Sequence, residues 1–292
     1  MDMDAQRIEL SVILACRNGA STLATQLEAL ARQEWDRPWE VLLSDNGSTD
    51  HSRGIAELFR DRLPSLRVID SSQHPGAAYA RNAAIRVAHS DRFAFCDVDD
   101  EVAPGWVAAM GEALMRHDFV SCRVDDQKLN PPWIKQLWGS TADNGPPVVL
   151  GFLPATGACS MGFTRRLFDA LHGFDETFGR LEDIDFSWRA QLAGYPLHYA
   201  ADAVVHYRYR QTLGGTFRQC FDDGRHEVAL YRRYVGRGMT WRPWKQAAAD
   251  WVGILRSAPG AIDRIGRGLW LKHFGMLSGR LSGCVAHRIF AP

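Results

Sequence analysis

The stretch FAFCDVDD, at residues 93–100, runs from four apolar or weakly polar residues into three carboxylates within four positions. Its first half predicts a short buried strand, so the acidic half lies where that strand leaves the core. Side chains two positions apart in an extended chain point the same way, and we expect Asp97 and Asp99 to converge. Two bare carboxylates that close repel each other. The stretch therefore predicts a Mg²⁺ or Mn²⁺ site, because these ions prefer carboxylate oxygens and commonly hold substrate phosphates as well.

Apolar runs alternate with helical patterns through the first hundred residues. The runs lie at residues 10–15, 40–44, 66–69 and 93–96, and a helical pattern covers 76–87. This alternation predicts an α/β fold with a mainly parallel sheet flanked by helices. Ligands of such sheets bind at the carboxyl ends of the strands. The polar residues expected at that edge are Arg17, Asn18, Asp45, Asp97 and Asp99. Their convergence favours the metal site over the alternative for the acidic stretch, a loop that caps the next helix.

The pattern continues less regularly after residue 100. Helices are predicted at 104–116, 164–172 and 182–192, and strands at 119–124 and 203–206. Prolines, glycines and tryptophans between residues 125 and 150 predict a long irregular connection, which in compact domains is often a lid. Ser21 is the predicted N-cap of the first helix.

Composition is that of an ordinary globular protein, with 46% hydrophobic and 23% charged residues in a chain of 292. The N-terminus lacks an apolar run, and no run of about 18 apolar residues occurs, so we expect neither a signal peptide nor a transmembrane helix. The six cysteines are scattered without a C-x-x-C pair, which favours reduced thiols and argues against a zinc site. These features predict a cytoplasmic protein.

Charge is distributed unevenly along a chain whose formal net charge is zero. Residues 205–292 contain 15 lysines and arginines against 5 acidic residues, a balance of +10. Residues 1–204 contain 19 basic and 29 acidic residues, a balance of −10. We therefore expect the two parts to face different partners.

Six segments resemble, in order and spacing, the motifs of the family-2 glycosyltransferases, which have the GT-A fold and use nucleotide-sugar donors. The segments are VILACRNG (12–19), DNGSTD (45–50), GAAYARN (76–82), DVD (97–99), TGACSM (156–161) and GFDE (173–176) with EDIDFSWR (182–189). The resemblance covers residues 9–235. It departs from the family at Ala15, where proline is usual.

The resemblance implies a role for each matching residue. It assigns donor binding to Ala15, Arg17, Asn18, Asp45, Arg81, Asp97 and Val98. It assigns the metal, Mn²⁺ or Mg²⁺, to Asp97, Asp99 and His206, and the acceptor side to Gly157, Ala158, Glu182 and Trp188. Asp183 matches the family's general base, and Glu182 and Asp185 are the competing candidates. The other interpretation of this acidic group is that it complements the dipole at a helix start.

The predicted reaction is metal-assisted transfer of a single sugar to an acceptor hydroxyl, with inversion at the anomeric carbon. The Q-x-x-R-W motif of processive synthases is absent from the sequence, which favours one transfer per encounter. The predicted acceptor is lipid-linked, a polysaccharide or another glycoconjugate, as in the synthesis of cell-envelope polysaccharides.

Two other functions share an α/β fold with acidic strand ends. A sugar nucleotidyltransferase usually has a glycine-rich, basic loop after its first strand, whereas residues 16–20 contain one glycine. A non-catalytic nucleotide-sugar-binding module would be expected to lose the acidic pairs, yet Asp97, Asp99 and Asp183 are present. A dinucleotide-dependent dehydrogenase is excluded because no G-x-G-x-x-G follows the first strand.

The sequence predicts two domains. Residues 1–210 form the catalytic domain, with a donor half at about 1–100 and an acceptor half at about 101–210. Residues 211–292 form a basic, amphipathic helical region rich in tryptophan, a composition typical of helices that lie in a membrane interface. This favours peripheral attachment to the anionic inner face of the cell membrane over packing against the catalytic domain. Nucleic acid is not an expected partner, since no recognition motif accompanies the charge.

Overall fold

Strands and helices alternate along the described chain, which comprises residues 7–139, 145–260 and 262–291 of a computed structural model. The strands are β1 (Leu10–Cys16), β2 (Trp39–Asp45), β3 (Arg67–Asp70), β4 (Arg92–Phe95), β5 (Glu101–Val102), β6 (Phe119–Asp125), β7 (Val148–Val149), β8 (Leu153–Pro154), β9 (Met161–Thr164) and β10 (His198–His206). The helices are α1 (Leu23–Ala31), α2 (Ser52–Glu57), α3 (Ala77–Val87), α4 (Trp106–Leu114), α5 (Pro132–Trp138), α6 (Arg165–Leu171), α7 (Glu182–Leu192), α8 (Leu213–Tyr234), α9 (Trp244–Ser257) and α10 (Arg264–His287).

Eight of these strands form one sheet in the order β3-β2-β1-β4-β9-β6-β10-β5. The neighbouring pairs β3–β2, β2–β1, β1–β4 and β6–β10 are parallel. In contrast, β9 and β5 run antiparallel to their neighbours. The mainly parallel α/β sheet predicted from the sequence is therefore confirmed. Strands β7 and β8 form a separate two-stranded sheet.

The carboxyl ends of β1, β2 and β4 lie side by side. Cys16 at the end of β1 pairs with Asp45 at the end of β2, and Asp45 pairs in turn with Asp70 of β3. On the other side of β1, Ile13 pairs with Phe95 of β4. The loops that leave these strands therefore start at one edge of the sheet, as the alternation of strands and helices predicted.

Side chains of β1 alternate between two hydrophobic cores. Val12 and Leu14 pack in the core that includes α1 and α4. Ile13 packs in the other core, with residues of α3, α6 and α7. A strand that is covered on both faces requires apolar residues at consecutive positions, which explains the uninterrupted apolar run of β1. The loops at the carboxyl ends thus extend from strands that are held on both faces.

The structure differs from the predicted elements in several places. The short strands β5, β7 and β8 were not predicted, and β10 begins before residue 203. Strand β9 lies between β4 and β6, and was not predicted; Gly162 allows this, because a Cβ there would lie 2.7 Å from the side chain of Met110. The connection predicted to be irregular contains α5, whose first residue, Pro132, needs no N–H partner. Residues 140–144 of that connection lie outside the described residues. The N-cap position of α1 is Thr22 rather than Ser21.

The chain divides into two compact units. The first comprises residues 1–129, 141–147 and 154–208, and contains the eight-stranded sheet. The second comprises residues 130–140, 148–153 and 209–292, and therefore includes α5 together with α8, α9 and α10. The predicted division at residue 210 into two domains stays a prediction.

Helices α8 and α10 of the second unit pack at backbone contact. A Cβ on Gly279 would lie 2.0 Å from the carbonyl oxygen of Phe221, and one on Gly224 would lie 2.3 Å from that of Met276. Larger residues at either glycine would force the helices apart. Among the described helices, none is both long enough and apolar enough to cross a membrane.

Candidate functional site

Side-chain hydrogen bonds join the loops that follow β1 and β2. The N–H of Asn18 donates to Ser48 Oγ at 2.9 Å, and the side-chain oxygen of Asn18 accepts from the N–H of Thr49 at 2.8 Å. The N–H of Gly19 donates to Ser52 Oγ at 2.9 Å. Asn18 has a φ of 56°, a left-handed conformation that asparagine adopts more readily than most residues. The side chain of Asn18 thus holds the shape of the loop.

Arg17 and Asp45, both predicted to bind the donor, lie in different surroundings. Arg17 is exposed, so its guanidinium is accessible to a ligand. Asp45 is buried, accepts from the N–H of Ser48 at 3.2 Å and forms an ion pair with Arg53. A contact between Asp45 and a nucleotide base would require this ion pair to rearrange.

Two apolar residues predicted on the donor side complete this edge. Ala15 is half-buried in β1. Val98 packs against Gly19, where a Cβ would lie 3.0 Å from Cγ2 of Val98. Glycine at position 19 therefore lets the loop after β1 approach the turn after β4.

The chain turns immediately after β4 instead of continuing extended. The N–H of Asp100 donates to the carbonyl of Asp97 at 3.3 Å. Gln26 donates to the same carbonyl at 3.1 Å, and the N–H of Arg208 donates to the Asp100 carboxylate at 2.8 Å. The backbone after β4 is therefore a turn and not the extended chain that was expected. The turn brings Asp100 beside Asp97, and the metal contact of Asp99 stays a prediction.

Three potential metal ligands meet at this turn. One carboxylate oxygen each of Asp97 and Asp100 and the Sγ of Cys159 lie within 4.8 Å of one another. Asp100 is 1% exposed, and its Oδ2 has no hydrogen-bond partner among the described residues. Burial, together with the charges of Asp97 and Asp99, raises the pKa of Asp100 to about 9. A buried, unpartnered carboxylate oxygen beside a second carboxylate fits a hard divalent cation.

Arg81 connects the turn after β4 to the start of α7. Its Nη2 lies 3.2 Å from the Asp97 carboxylate and its Nη1 lies 2.6 Å from that of Glu182. Arg81 is 6% exposed. Burial opposes its charged form, but Asp97 and Glu182 outweigh that effect and raise the pKa of the guanidinium above its ordinary value. Arg81 therefore remains charged and holds two acidic segments together.

The carboxylate of Asp183 is held by backbone N–H groups. Ala158 donates to it at 2.9 Å and Ile184 at 2.8 Å. Burial is the main cause that raises the pKa of Asp183 to about 6, with the charge of Glu182 as a further cause. Leu181, just before α7, has a φ of 61°, a strained conformation for this residue type. A half-buried carboxylate with this pKa suits a general base near neutral pH.

The two competing carboxylates at the start of α7 are paired with arginines. Glu182 pairs with Arg81, as described above. Asp185 is fully buried and pairs with Arg189 at 2.7 Å. The guanidinium of Arg189 also donates to the carbonyls of Leu171 and Gly173, each at 2.9 Å. Arg189, which Asp185 orients within α7, therefore holds this helix to the end of α6. Of the three carboxylates, Asp183 is the one that forms no ion pair with an arginine among the described residues.

His206 lies at the end of β10, and its Nδ1 is 2.6 Å from the Asp125 carboxylate. Burial works against the ionised form of Asp125, yet the N–H of Gln127 and the ring of His206 lower the pKa of its carboxyl group. A carboxylate on one ring nitrogen is the arrangement that orients metal-binding histidines. The arrangement leaves Nε2 of His206 for a ligand.

The residues predicted on the acceptor side divide between the site and the core. A Cβ on Gly157 would lie 3.7 Å from Oδ2 of Asp183, and Ala158 donates its N–H to the same carboxylate. Trp188 is 0% exposed. Its ring offers no surface to an acceptor, which corrects the expectation that it lies at the acceptor site.

The family model described as "Glycosyl transferase family 2" matches residues 11–169, more than half of the chain. The chain belongs to glycosyl transferase family 2. Residues at both ends of this range, from β1 to α6, therefore share the family's pattern.

Curated relatives of this family-2 glycosyltransferase match it over part of their length. The uncharacterized glycosyltransferase YibD of Escherichia coli is 32% identical over 133 residues, 46% of this chain and 37% of that protein. The succinoglycan biosynthesis protein ExoU of Rhizobium meliloti is 36% identical over 119 residues, 40% of this chain and 33% of that protein. The match thus spans about a third of the length of each of these relatives.

Solved structures share the fold of this family-2 glycosyltransferase. Mannosyltransferase PcManGT of Pyrobaculum calidifontis, in complex with GDP-Man and Mn²⁺, has a TM-score of 0.66 at 17% identity, covering 96% of this chain and 88% of that one. S. aureus TarS 1–349, in complex with UDP-GlcNAc, has a TM-score of 0.54 at 16% identity, covering 97% and 93%. The predicted GT-A fold is confirmed.

Sequence reasoning missed three residues of the site. Asp100 is the last residue of the acidic stretch. The alternation of side chains in an extended chain pairs Asp97 with Asp99 and therefore did not indicate Asp100. Cys159 lies inside a recognised motif, and nothing in the sequence marks it as a neighbour of Asp97. Asp125 ends β6, so the rule that ligands meet at the carboxyl ends of parallel strands would have found it as the neighbour of His206.

Proposed function

We propose that this family-2 glycosyltransferase transfers one sugar from a nucleoside-diphosphate sugar to an acceptor hydroxyl, with inversion at the anomeric carbon. The observation that carries the proposal is the state of Asp183. It is half-buried, has a pKa of about 6 and forms no ion pair with an arginine among the described residues. Its neighbours at the start of α7, Glu182 and Asp185, both form ion pairs with arginines.

In the proposed reaction Asp183 accepts the proton of the acceptor hydroxyl. The acceptor oxygen bonds to the anomeric carbon while the bond from that carbon to the diphosphate oxygen breaks. The nucleoside diphosphate leaves with the electron pair of the broken bond. The backbone N–H groups of Ala158 and Ile184 fix the direction of the Asp183 carboxylate, so the base is positioned before the acceptor arrives.

We propose that Asp97 and Asp100 hold a divalent cation, Mg²⁺ or Mn²⁺. The unpartnered Oδ2 of Asp100 and the adjacent Asp97 carboxylate support this assignment, and the named Mn²⁺ complex of PcManGT supports the class of ion. Asp99 and His206 are the further proposed ligands. When bound, the cation would offset the negative charge that develops on the departing diphosphate. The thiol of Cys159 stays neutral beside these oxygens, since burial raises its pKa well above the ordinary value.

The loops after β1 and β2 are the proposed binding site for the nucleotide. Arg17 is exposed there, and Asn18 fixes the loop on which it lies. The named ligands of the two structural relatives, GDP-Man and UDP-GlcNAc, support a nucleotide-sugar donor. We further propose a lipid-linked or other glycoconjugate acceptor and a cytoplasmic location.

The test combines three measurements on the purified chain. A thermal-shift screen of nucleotide sugars with Mn²⁺ identifies the donor, because binding stabilises the folded state by mass action. Release of nucleoside diphosphate is then measured with a panel of hydroxyl acceptors, with and without a chelator, and we expect loss in chelator. NMR coupling constants of the product are expected to show a configuration opposite to that of the donor. Retention of configuration, or full activity in chelator, would contradict the proposal.

A further inference from the structure

Helix α9 has an apolar stripe that is exposed among the described residues. Trp244, Val252 and Leu255 are 61%, 43% and 73% exposed, and Ala248 is exposed as well. Their spacing of four, four and three residues places the four side chains along one face of the helix. Ile254 lies on a different face and is 5% exposed. The stripe is thus additional to the face that packs inward.

The inward face of α9 is anchored to α10. Trp270 donates its indole N–H to the carbonyl of Ile254 at 3.0 Å. The rings of Trp251 and Phe274 make an edge-to-face contact at 6.1 Å. These contacts hold α9 with its stripe turned outward, since a helix so anchored cannot rotate the stripe inward without losing them.

Basic side chains flank the stripe along one edge. Lys245 and Arg256 are exposed, and neither has a carboxylate partner among the described residues. The positions are three turns apart and lie on the same side of the helix. Asp250, the acidic residue of α9, is already paired with Arg242 at 2.6 Å. The exposed edge beside the stripe is therefore positively charged.

We propose that this stripe is a docking surface for an anionic lipid bilayer, with α9 parallel to the membrane and its apolar face at the boundary of headgroups and acyl chains. Exposed tryptophan and leucine beside lysine and arginine match the chemistry of that boundary. A second copy of the chain fits less well. An antiparallel two-fold pairing of identical stripes would bring the two basic edges to the same side of the contact, where they repel. The inference goes beyond the proposed transfer reaction and depends neither on Asp183 nor on a metal.

The experiment measures co-sedimentation of the full chain with vesicles of phosphatidylcholine alone or mixed with phosphatidylglycerol, at low and high salt. Wild type is expected to bind the anionic vesicles and to dissociate as salt rises. The Trp244→Ser, Leu255→Ser double variant is expected to reduce the partition coefficient at least about tenfold, because it removes two large apolar side chains from the contact. Leu58→Ser is the matched control: Leu58 is 77% exposed on α2's C-terminal side, and its loss should leave binding unchanged.

A charge variant tests the basic edge separately. Lys245→Glu with Arg256→Glu is expected to weaken binding to anionic vesicles by roughly fivefold for each positive charge lost, and further through the added negative charges. Arg116→Glu, on an exposed residue of the first unit, is the control for net charge. Circular dichroism and the melting temperature of each variant verify that the chain is folded.

Four outcomes would overturn the proposal. Wild type that fails to bind either vesicle, or binding that both α9 variants leave unchanged, would exclude the membrane role of the stripe. The wild-type chain could instead be a dimer that Leu255→Ser converts to monomers without loss of vesicle binding. That result would show that the stripe mediates self-association. Loss of binding in the Leu58→Ser control equal to that in the α9 variant would show a general effect of surface hydrophobicity.

Discussion

The acidic turn after β4 and the acidic start of α7 contain similar residues but differ in how their carboxylates are partnered. At the start of α7, Glu182 and Asp185 form ion pairs with Arg81 and Arg189. At the turn, Arg81 reaches Asp97, whereas Asp100 keeps one buried oxygen without a partner among the described residues. The first cluster therefore retains one carboxylate that forms no ion pair with an arginine, and the second retains a buried acidic oxygen that a cation could bind.

This difference separates two kinds of acidic site. One unpaired carboxylate held by backbone N–H groups is suited to exchange a proton, which is the role proposed for Asp183. Adjacent acidic groups with an unsatisfied oxygen are suited to bind a cation, which is the role proposed for Asp97 and Asp100. Arg81 contacts both clusters, so its removal should disturb both.

The largest expected effect is on the proton acceptor. Asp183→Asn preserves the side-chain volume and should reduce transfer by about 10²–10⁴-fold, since a general base contributes roughly that much. Wild-type transfer should fall as the pH drops through about 6, because the raised pKa leaves the base protonated below that value. The variant should lack this dependence. Steady-state rates across pH provide the measurement.

Asp169→Asn, on an exposed carboxylate of α6, is the matched control and should transfer at the wild-type rate. Two results together would contradict the assignment of the base: normal turnover in Asp183→Asn, and loss of activity in a folded Glu182→Gln variant. They would show that Glu182, and not Asp183, accepts the proton.

Removal of Arg81 should break the connection between the two clusters. Arg81→Met leaves Asp97 and Glu182 without their shared partner, and we expect a loss of about 3–5 kcal/mol in the free energy of unfolding. Urea denaturation at neutral pH measures it. Arg86→Met on the same helix removes an exposed ion pair with Glu176 and should cost less than about 1 kcal/mol. Equal losses in the two variants would contradict the connecting role.

Asp185 should behave as a structural residue and not as a catalytic one. Asp185→Asn weakens the buried pair with Arg189, and we expect a loss of about 1.5–3 kcal/mol in the free energy of unfolding. The rate of transfer per folded molecule should stay close to that of wild type at a temperature where the variant is folded. A stable but inactive Asp185→Asn would place this residue in the reaction.

The smallest expected effect concerns the cation. Asp100→Asn should weaken Mn²⁺ binding by at least about 10-fold, since the loss of a ligand costs no less than the loss of a residue that orients one. Titration of the full chain with Mn²⁺ followed by electron paramagnetic resonance measures free ion directly, without reference to activity. Asp61→Asn on the exposed surface is the control. Unchanged affinity in Asp100→Asn, with loss in Asp99→Asn, would restore the ligand pair first predicted from the sequence.

Local sequence patterns predicted the parts of the site that depend on strand order. Because parallel strands bring their carboxyl ends together, the positions of Arg17, Asn18, Asp45 and Asp97 followed from the alternation of strands and helices. The extended geometry expected for Asp99 was wrong, since the N–H of Asp100 closes a turn onto Asp97. That turn depends on Gln26 and Arg208, which are remote in sequence.

The sequence by itself determined the α/β fold, the family and the acidic clusters, because apolar periodicity and short motifs are local properties of the chain. Only the tertiary structure decided which carboxylates are neutralised, since Arg81 lies 101 positions from Glu182. The tertiary structure also decides which side chains are buried. Trp188 and Trp244 have the same side chain, yet Trp188 is buried and Trp244 is exposed. Pairing and burial depend on which distant segments the fold brings into contact, and no local pattern encodes that.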